Sequence, residues 1–385
     1  MTTPRIEIDL VKIEHNANKL KALYSSKGIN IVGVTKVVCG DSKIASALLK
    51  SGIKTFADSR VANIKKMRKA GIKAKFILLR TPIPSQVESV VRYTDISLNS
   101  ELSVIKKLSI SAVKQNITHK IILMVELGDL REGLMPSDLE AVIKEVMGLK
   151  GIKLVGIGTN LACFGGIKPD DKKMEQLSSI AGIIEEKFSL TLDFISGGNS
   201  ANYSWFMKAK DLGRINNLRI GESIYLGRET LHRTLIPGLF EDAFTLIAEV
   251  VESKIKPSVP WGEVCQDAFG NIPKFKDHGK MRRAILGVGL QDVLVSGLTP
   301  KLDIDIIGTT SDHIILDAGQ IDLKVGNEVA FNLNYGALLS AMTSPYIIKE
   351  YKKSHKKAGF LCHNSFHTHI PKVHAFGLLK FIFLV

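Results

Sequence analysis

With 385 residues the chain is long enough for two domains, although an α/β barrel alone can take up roughly 250. A hydrophobic share of 45% beside 23% charged residues excludes a disordered or membrane-embedded class, and no run of about 18 uncharged apolar residues offers a spanning helix. The net charge of +14 raises the question of nucleic acid, but the last 32 residues alone hold four lysines and no acid. The other basic residues are spread along amphipathic stretches (Lys65, Lys66, Arg68, Lys69; Lys106, Lys107; Lys172, Lys173), without an aromatic RNA-binding motif, zinc finger or basic fork. A solvated basic surface that draws in anionic ligands follows, with neither nucleic acid nor membrane as partner.

The opening MTTPRIEIDL has no apolar core of a secretion signal, and Cys39, Cys163, Cys265 and Cys362 lack C-x-x-C spacing. Both features fit a reducing, cytoplasmic setting. A helix is expected over Leu10–Leu23. Apolar runs at Ile31–Thr35, Thr55–Ala57, Phe76–Leu79, Asp95–Leu98, Ile121–Glu126, Leu154–Gly158, Leu192–Ile195 and Leu218–Ile220 read as strands. Helical patterns such as Lys43–Lys50, Leu102–Lys107 and Pro136–Met147 lie between them. Eight strands alternating with helices predict a (β/α)8 TIM-type barrel over residues 1–240.

From about Phe240 the texture changes. Thr245–Val251, Ala284–Val288, Asp303–Ile307, His313–Leu316 and Glu328–Phe331 read as strands separated by Pro, Gly and Asp turns, predicting a mostly-β domain over 241–351. The segment 352–385 fits neither texture and reads as an appended, weakly ordered tail. Its His363, His367 and His369 have only Cys362 as a further ligand type nearby, so no metal site is expected.

Barrel active sites lie at the C-terminal ends of the strands. The first strand delivers Lys36 in GVTKVVCG. An ammonium at a buried strand end is costly to desolvate, and a lowered pKa is what a Schiff-base lysine needs; a lysine that has simply left the strand for solvent would give the same sequence. Later strand ends supply Arg131 in GDLREG, Asn160 in TNLACFGG, Ser200 in SGGNSAN, and Arg219 and Gly221 in LRIGESIYLG. Backbone N–H groups at a helix start beside a hydroxyl form a phosphate site, and barrels often bind phosphate after strands seven and eight. An ordinary helix cap at Ser200 is the competing explanation.

These motifs together resemble the alanine racemase family, and within it the ornithine racemase branch, over about residues 5–351. The resemblance implies pyridoxal 5′-phosphate as cofactor, bound by Lys36. It puts Arg131 near the cofactor's phenolic oxygen and the substrate, Asn160 beside the cofactor, and Arg219 of RIG…YLG on the pyridine nitrogen. Ser200, Gly221 and the backbone of Glu222 would surround the phosphate, which Tyr335 of LNYGAL also reaches. Ser311 and Asp312 of TTSDHIILD would cross a dimer interface to meet the substrate carboxylate, so a homodimer with shared sites is implied. An arginine stays protonated at any workable pH, so its partner nitrogen stays unprotonated. The weaker electron sink suits proton removal and return at Cα and argues against decarboxylation.

The implied activity is interconversion of L- and D-ornithine, or a similar basic amino acid. Racemisation needs a second acid/base group on the opposite face, where alanine racemases use a tyrosine from the partner subunit. The corresponding VPWGEVCQDAFGN has none; counting onward from Gly262 puts Asp267 nearest that tyrosine's place, with Cys265 as its rival and a group elsewhere as the third alternative, since Asp267 can equally be a turn residue and Cys265 a packed thiol. Gly40 stands where those racemases have a phosphate-contacting tyrosine, and Asn160 where they have a histidine. Rival readings are an alanine or broad-specificity racemase and a non-catalytic pyridoxal-phosphate homeostasis protein, a single-barrel type that lacks the β domain. A metal-assisted aldolase or dehydratase is a third, with only His313 and Cys265 as ligand candidates.

Overall fold

The computed structural model describes residues 2–352, and the remainder of the 352–385 tail, with its histidines, lies outside the described residues. The first strand, β1 (Arg5–Asp9), alternates buried Ile6 and Ile8 with more polar neighbours. Asp9 then accepts the Val11 and Lys12 N–H groups at 3.0 and 3.1 Å and starts the helix Leu10–Ser25.

Eight parallel strands close the barrel in chain order: β2 (Asn30–Val34), β3 (Thr55–Asp58), β4 (Lys75–Leu78), β5 (Ile96–Asn99), β6 (His119–Met124), β7 (Ile152–Gly158), β8 (Phe194–Ser196) and β9 (Asn217–Ile220). Closure comes from β2 pairing with β9, Asn30 to Asn217 through Gly33 to Ile220. The expected strands and these agree to within two residues at each end. Short, nearly continuous apolar runs suit such a barrel, whose strands are covered by helices outside and by packed side chains inside. Val32, Val34, Ala57, Ile77, Leu98, Ile122 and Met124 belong to the buried cluster of the barrel interior.

The C-terminal strands are β10 (Phe244–Pro257), β11 (Lys280–Leu286), β12 (Leu298–Pro300), β13 (Asp305–Thr309), β14 (Ile314–Asp317), β15 (Glu328–Leu333) and β16 (Ile348–Lys352). They form a mostly antiparallel sheet in the order β12-β15-β10-β11-β14-β13. β1 belongs to this sheet and not to the barrel: Arg5 pairs with Ile247 of β10 and, in parallel, with Ile348 of β16. The chain therefore begins in the sheet, crosses into the barrel and returns. Arg5 is 4% exposed, donates to Glu328 at 2.6 Å and forms an ion pair with Glu350 at 3.2 Å, tying the first strand to the last two. After β15 the chain turns into a helix, Tyr335–Thr343, that packs on the turn Lys36–Val38 and carries Tyr335 to the mouth of the barrel.

Candidate active site

Lys36 opens a single 3-10 turn at the C-terminal end of β2. Three contacts hold that strand end: the buried Tyr225 hydroxyl donates to the Val34 carbonyl at 2.9 Å, the Thr35 hydroxyl donates to Asp58 at 2.8 Å, and the Thr35 N–H donates to the Ala57 carbonyl at 2.8 Å. The turn ends with left-handed Cys39 and Gly40, and a Cβ on Gly40 would stand 2.8 Å from that of Asn63. A bulky residue is thus excluded at position 40 by both backbone and space. Lys36 lines a cavity of about 450 Å³ at the strand ends. Burial pushes its ammonium pKa down, as does Arg131, while Cys163, Asp58 and Glu132 oppose the shift through space.

Across the closing seam, β8 and β9 deliver the other wall. Gly198 has φ +145°, and a Cβ there would lie 2.2 Å from Asn202 Oδ1. Its absence lets Asn202 accept the Asn199 N–H at 3.0 Å and donate to the Gly197 carbonyl at 3.1 Å, closing the turn that presents Ser200. The Ser200 hydroxyl accepts the Ser223 N–H at 3.3 Å, so the turns after β8 and β9 meet. Gly221 lies against β2, where a Cβ would come within 3.0 Å of Val34 Cβ.

Arg219 is 5% exposed and has only neutral hydrogen-bond acceptors: Ser196 Oγ at 2.5 Å, the Thr159 carbonyl at 2.7 Å and Asn160 Oδ1 at 3.2 Å. Burial, reinforced by Arg131, lowers its pKa to about 10, which still leaves it charged at neutral pH. Asn160 is aimed by Asn199, whose amide donates to it at 3.1 Å.

Arg131 reaches the cavity from the loop after β6, paired with Glu132 and donating to Cys163 Sγ at 3.0 Å. Glu222 pairs with Arg233, and burial raises its carboxyl pKa against that arginine's pull. Tyr335 closes the rim from its helix, and burial together with nearby acids raises its phenol pKa. Lys36, Arg131, Asn160, Ser200, Arg219, Gly221, Glu222 and Tyr335 thus line one cavity, joined by residues that the sequence reading did not single out: Arg80, Glu132, Cys163, Thr230 and Arg233. Arg80 in LLRTP carries the same signal as Lys36, a charge directly after an apolar run. Glu132 and Cys163 carry none beyond adjacency to Arg131 and Asn160.

Four expected residues lie elsewhere in this chain. Cys265 and Asp267 sit in the exposed stretch 260–272 of the loop between β10 and β11, where Asp267 accepts the Phe269 and Asn271 N–H groups at 2.8 and 2.9 Å. Ser311 and Asp312 are exposed at the tip between β13 and β14, hydrogen-bonded to each other at 2.9 Å. None of the four lines the cavity of its own chain. No helix among the described residues is long and apolar enough to cross a membrane.

Residues 8–229 match the family model for the alanine racemase N-terminal domain. Ornithine racemase of Acetoanaerobium sticklandii is 43% identical over 351 residues, which cover 90% of this chain and 99% of that protein. Lysine racemase of Thermotoga maritima is 40% identical over 356 residues, or 92% of this chain and all of that one. Among solved structures, alanine racemase from a D-cycloserine-producing Streptomyces lavendulae superposes with a TM-score of 0.71 at 17% identity, covering 92% and 99% of the two chains. D-threonine aldolase from Filomicrobium marinum reaches 0.66 at 15% identity, covering 89% and 88%. Two enzymes with different names share this architecture, so those likenesses bear on fold alone. The family-model match and the two close relatives rest on sequence over most of the chain, and by them the chain belongs to the alanine racemase family.

Proposed function

We propose that the protein is a pyridoxal 5′-phosphate-dependent racemase of a basic amino acid, with ornithine as first candidate and lysine next. One observation carries the reading: a desolvated lysine at the end of the first barrel strand faces, across one cavity, a buried arginine with no carboxylate partner. The ornithine and lysine racemases, alike over nearly their whole length, support the substrate class.

The cavity residues fit the cofactor. The Thr230 hydroxyl is a buried wall atom without a hydrogen-bond partner, and Gly221 has its backbone where a side chain would crowd β2. Lys36 would hold the cofactor's carbonyl carbon, Arg219 its ring nitrogen, and Ser200 with the backbone of Gly221–Ser223 its phosphate, assisted by Tyr335. When bound, the cofactor acidifies the Cα–H bond of the amino acid. Lys36, whose amine burial biases toward the neutral form, would take that proton from one enantiomer on its face and, in the opposite direction, deliver one there, while the other face is served by a second group. Arg219, as a charged donor, would keep a ring nitrogen placed against it unprotonated, which would limit charge delocalisation and so side reactions. Asn160, positioned by Asn199, accepts a hydrogen bond from the Arg219 guanidinium and so helps to fix its position.

The second face calls for a group that this chain does not bring to its own cavity. Asp267 or Cys265 of the partner subunit would supply it in a homodimer, with Ser311 and Asp312 of the partner subunit near the substrate carboxylate. The exposure of both loops leaves them free for that role.

The test is deuterium incorporation at Cα in heavy water across ornithine, lysine and alanine. Exchange with ornithine or lysine, lost in Lys36→Ala together with the visible absorbance of bound cofactor, is expected. Absence of cofactor from the wild-type protein would overturn the reading, and exchange with alanine alone would move the substrate class.

A further inference from the structure

Asp58 is a fully buried acid that the chemistry above does not use. It ends β3, beside the end of β2 that carries Lys36, and is 0% exposed. Its Oδ2 accepts the Thr35 hydroxyl at 2.8 Å, and its Oδ1 accepts the Arg60 N–H at 2.9 Å and the Asn63 amide at 3.0 Å. The carboxylate thus ties the residue next to Lys36 to the helix Val61–Lys69 that follows β3. Gly40, at the other end of the lysine-bearing turn, lies against the same Asn63. One acid therefore braces both ends of that turn.

Hydrogen bonding alone does not call for an acid here. An asparagine would keep the Oδ1 acceptor and donate to Thr35, whose hydroxyl can turn to the Ala57 carbonyl 3.3 Å away. What only the acid supplies is charge. Burial raises its carboxyl pKa, while the Arg60 N–H, Thr35, Asn63 and the charge of Lys36 pull it back toward the ionised form. Of the groups around it, Cys39 and Tyr225 are raised in pKa by burial first and by Asp58 next, and Tyr335 by burial, Glu222, Cys163 and Asp58 in turn, so these three face it as neutral side chains. Lys36 in turn faces Arg131, Glu132 and Cys163 from the loops after β6 and β7, and Glu222 from the turn after β9. Glu132 and Glu222 are paired with Arg131 and Arg233, and Cys163, which accepts from Arg131, is charged only as a thiolate. The hydrogen-bond donors to Asp58 are all neutral, so its charge is available to Lys36. We infer that Asp58 is a positioning residue for Lys36 and its counter-charge, bracing the turn through Thr35 and Asn63 and holding on the Lys36 amine the proton it carries during exchange. The inference rests on the racemase reading and deepens it.

The test titrates Lys36 in the full-length protein, freed of cofactor with hydroxylamine and checked for fold by circular dichroism. Competitive acetylation with acetic anhydride across pH, read by mass spectrometry of the Lys36 peptide, gives the midpoint. Asp58→Asn should move that midpoint down by about one pH unit, because loss of an opposite charge favours the neutral amine. The acid limb of Cα exchange in the loaded enzyme should move the same way. Asp58→Ser, which removes the charge without adding bulk, should shift the midpoint in the same direction. Thr35→Val keeps the charge and cuts the brace, so its midpoint should stay in place while cofactor affinity falls about fivefold. An unmoved midpoint in both Asp58 variants overturns the inference and leaves the racemase reading intact. An equal downward move in Thr35→Val traces the shift to a displaced turn and overturns it too, as does unchanged cofactor affinity in that variant. Wild-type protein that binds no cofactor and exchanges no amino acid fails the functional reading itself, and the acetylation midpoints then still decide whether Asp58 acts on Lys36.

Discussion

Gly198→Ala strikes the turn that presents Ser200, and its cost can be worked from the structure. The native φ of +145° is one that residues with a Cβ rarely adopt, a strain of about 1–3 kcal/mol. The new methyl would also stand 2.2 Å from Asn202 Oδ1. Asn202 is fully buried, so displacing it strands the Asn199 N–H and the Gly197 carbonyl that it satisfies at 3.0 and 3.1 Å. Leaving such groups unsatisfied costs about 1–3 kcal/mol. Together the loss should be about 3–5 kcal/mol. Gly166→Ala is the matched control: its φ is +67° and nothing lies within 4 Å of the added Cβ, so only backbone strain of about 1 kcal/mol applies. Equilibrium urea unfolding at constant m-value measures both, and a cofactor titration should show weakened binding in Gly198→Ala alone. Equal destabilisation of the two variants would refute the argument that the lost Asn202 contacts add to the backbone strain.

Lys36→Ala should lower Cα exchange by about a thousandfold or more, since a positioned acid/base group contributes about 10²–10⁴, while the fold, monitored by circular dichroism, persists. His119 is 1% exposed, hydrogen-bonded to Ser97 at 2.8 Å, and its pKa is pushed down to about 4 by burial. Its neutral form therefore contributes stability that is full above the unfolded value near 6.5 and is lost as pH falls toward 4, about 3 kcal/mol in all. His119→Gln should flatten the urea midpoint across that window, and an unchanged slope would exclude His119 as its source. Arg5→Met leaves Glu7, Glu328 and Glu350 facing one another; because Glu328 and Glu350 are more than a third exposed, water screens them and the loss should be about 2 kcal/mol in unfolding free energy. Asp267→Asn and Cys265→Ser, assayed separately from L and D substrate, should reveal the opposite-face group as a loss of exchange in one direction. Normal exchange both ways in both variants would remove the pair.

Much of the barrel was legible because its signals are local. An apolar run of three to six residues bounded by a turn and an amphipathic stretch reads the same whatever its neighbours, and all eight barrel strands fall on such runs. The strand β1 was passed over although Ile6 and Ile8 alternate, since the segment meets its partners only through β10 and β16, some 240 and 340 residues away. The helix Tyr335–Thr343 hid in a tract read as strands and turns, yet it carries Tyr335 to the cavity.

By itself the sequence determined which side chains stand at strand ends: Lys36, Arg131, Ser200 and Arg219 follow from the barrel's alternation and from the rule that its chemistry sits on one face. Only the tertiary structure decided what charge each of them carries into the cavity unopposed. Arg131 and Arg233 are neutralised by Glu132 and Glu222, Arg219 meets only neutral oxygens, and Arg80 is left facing the cavity without an acid. Pairing and desolvation are set by distances between loops far apart in the chain, and no local pattern encodes a distance. The same holds for the candidates proposed for the opposite face, because Asp267 and Cys265 lie on a loop that does not line the cavity of their own chain.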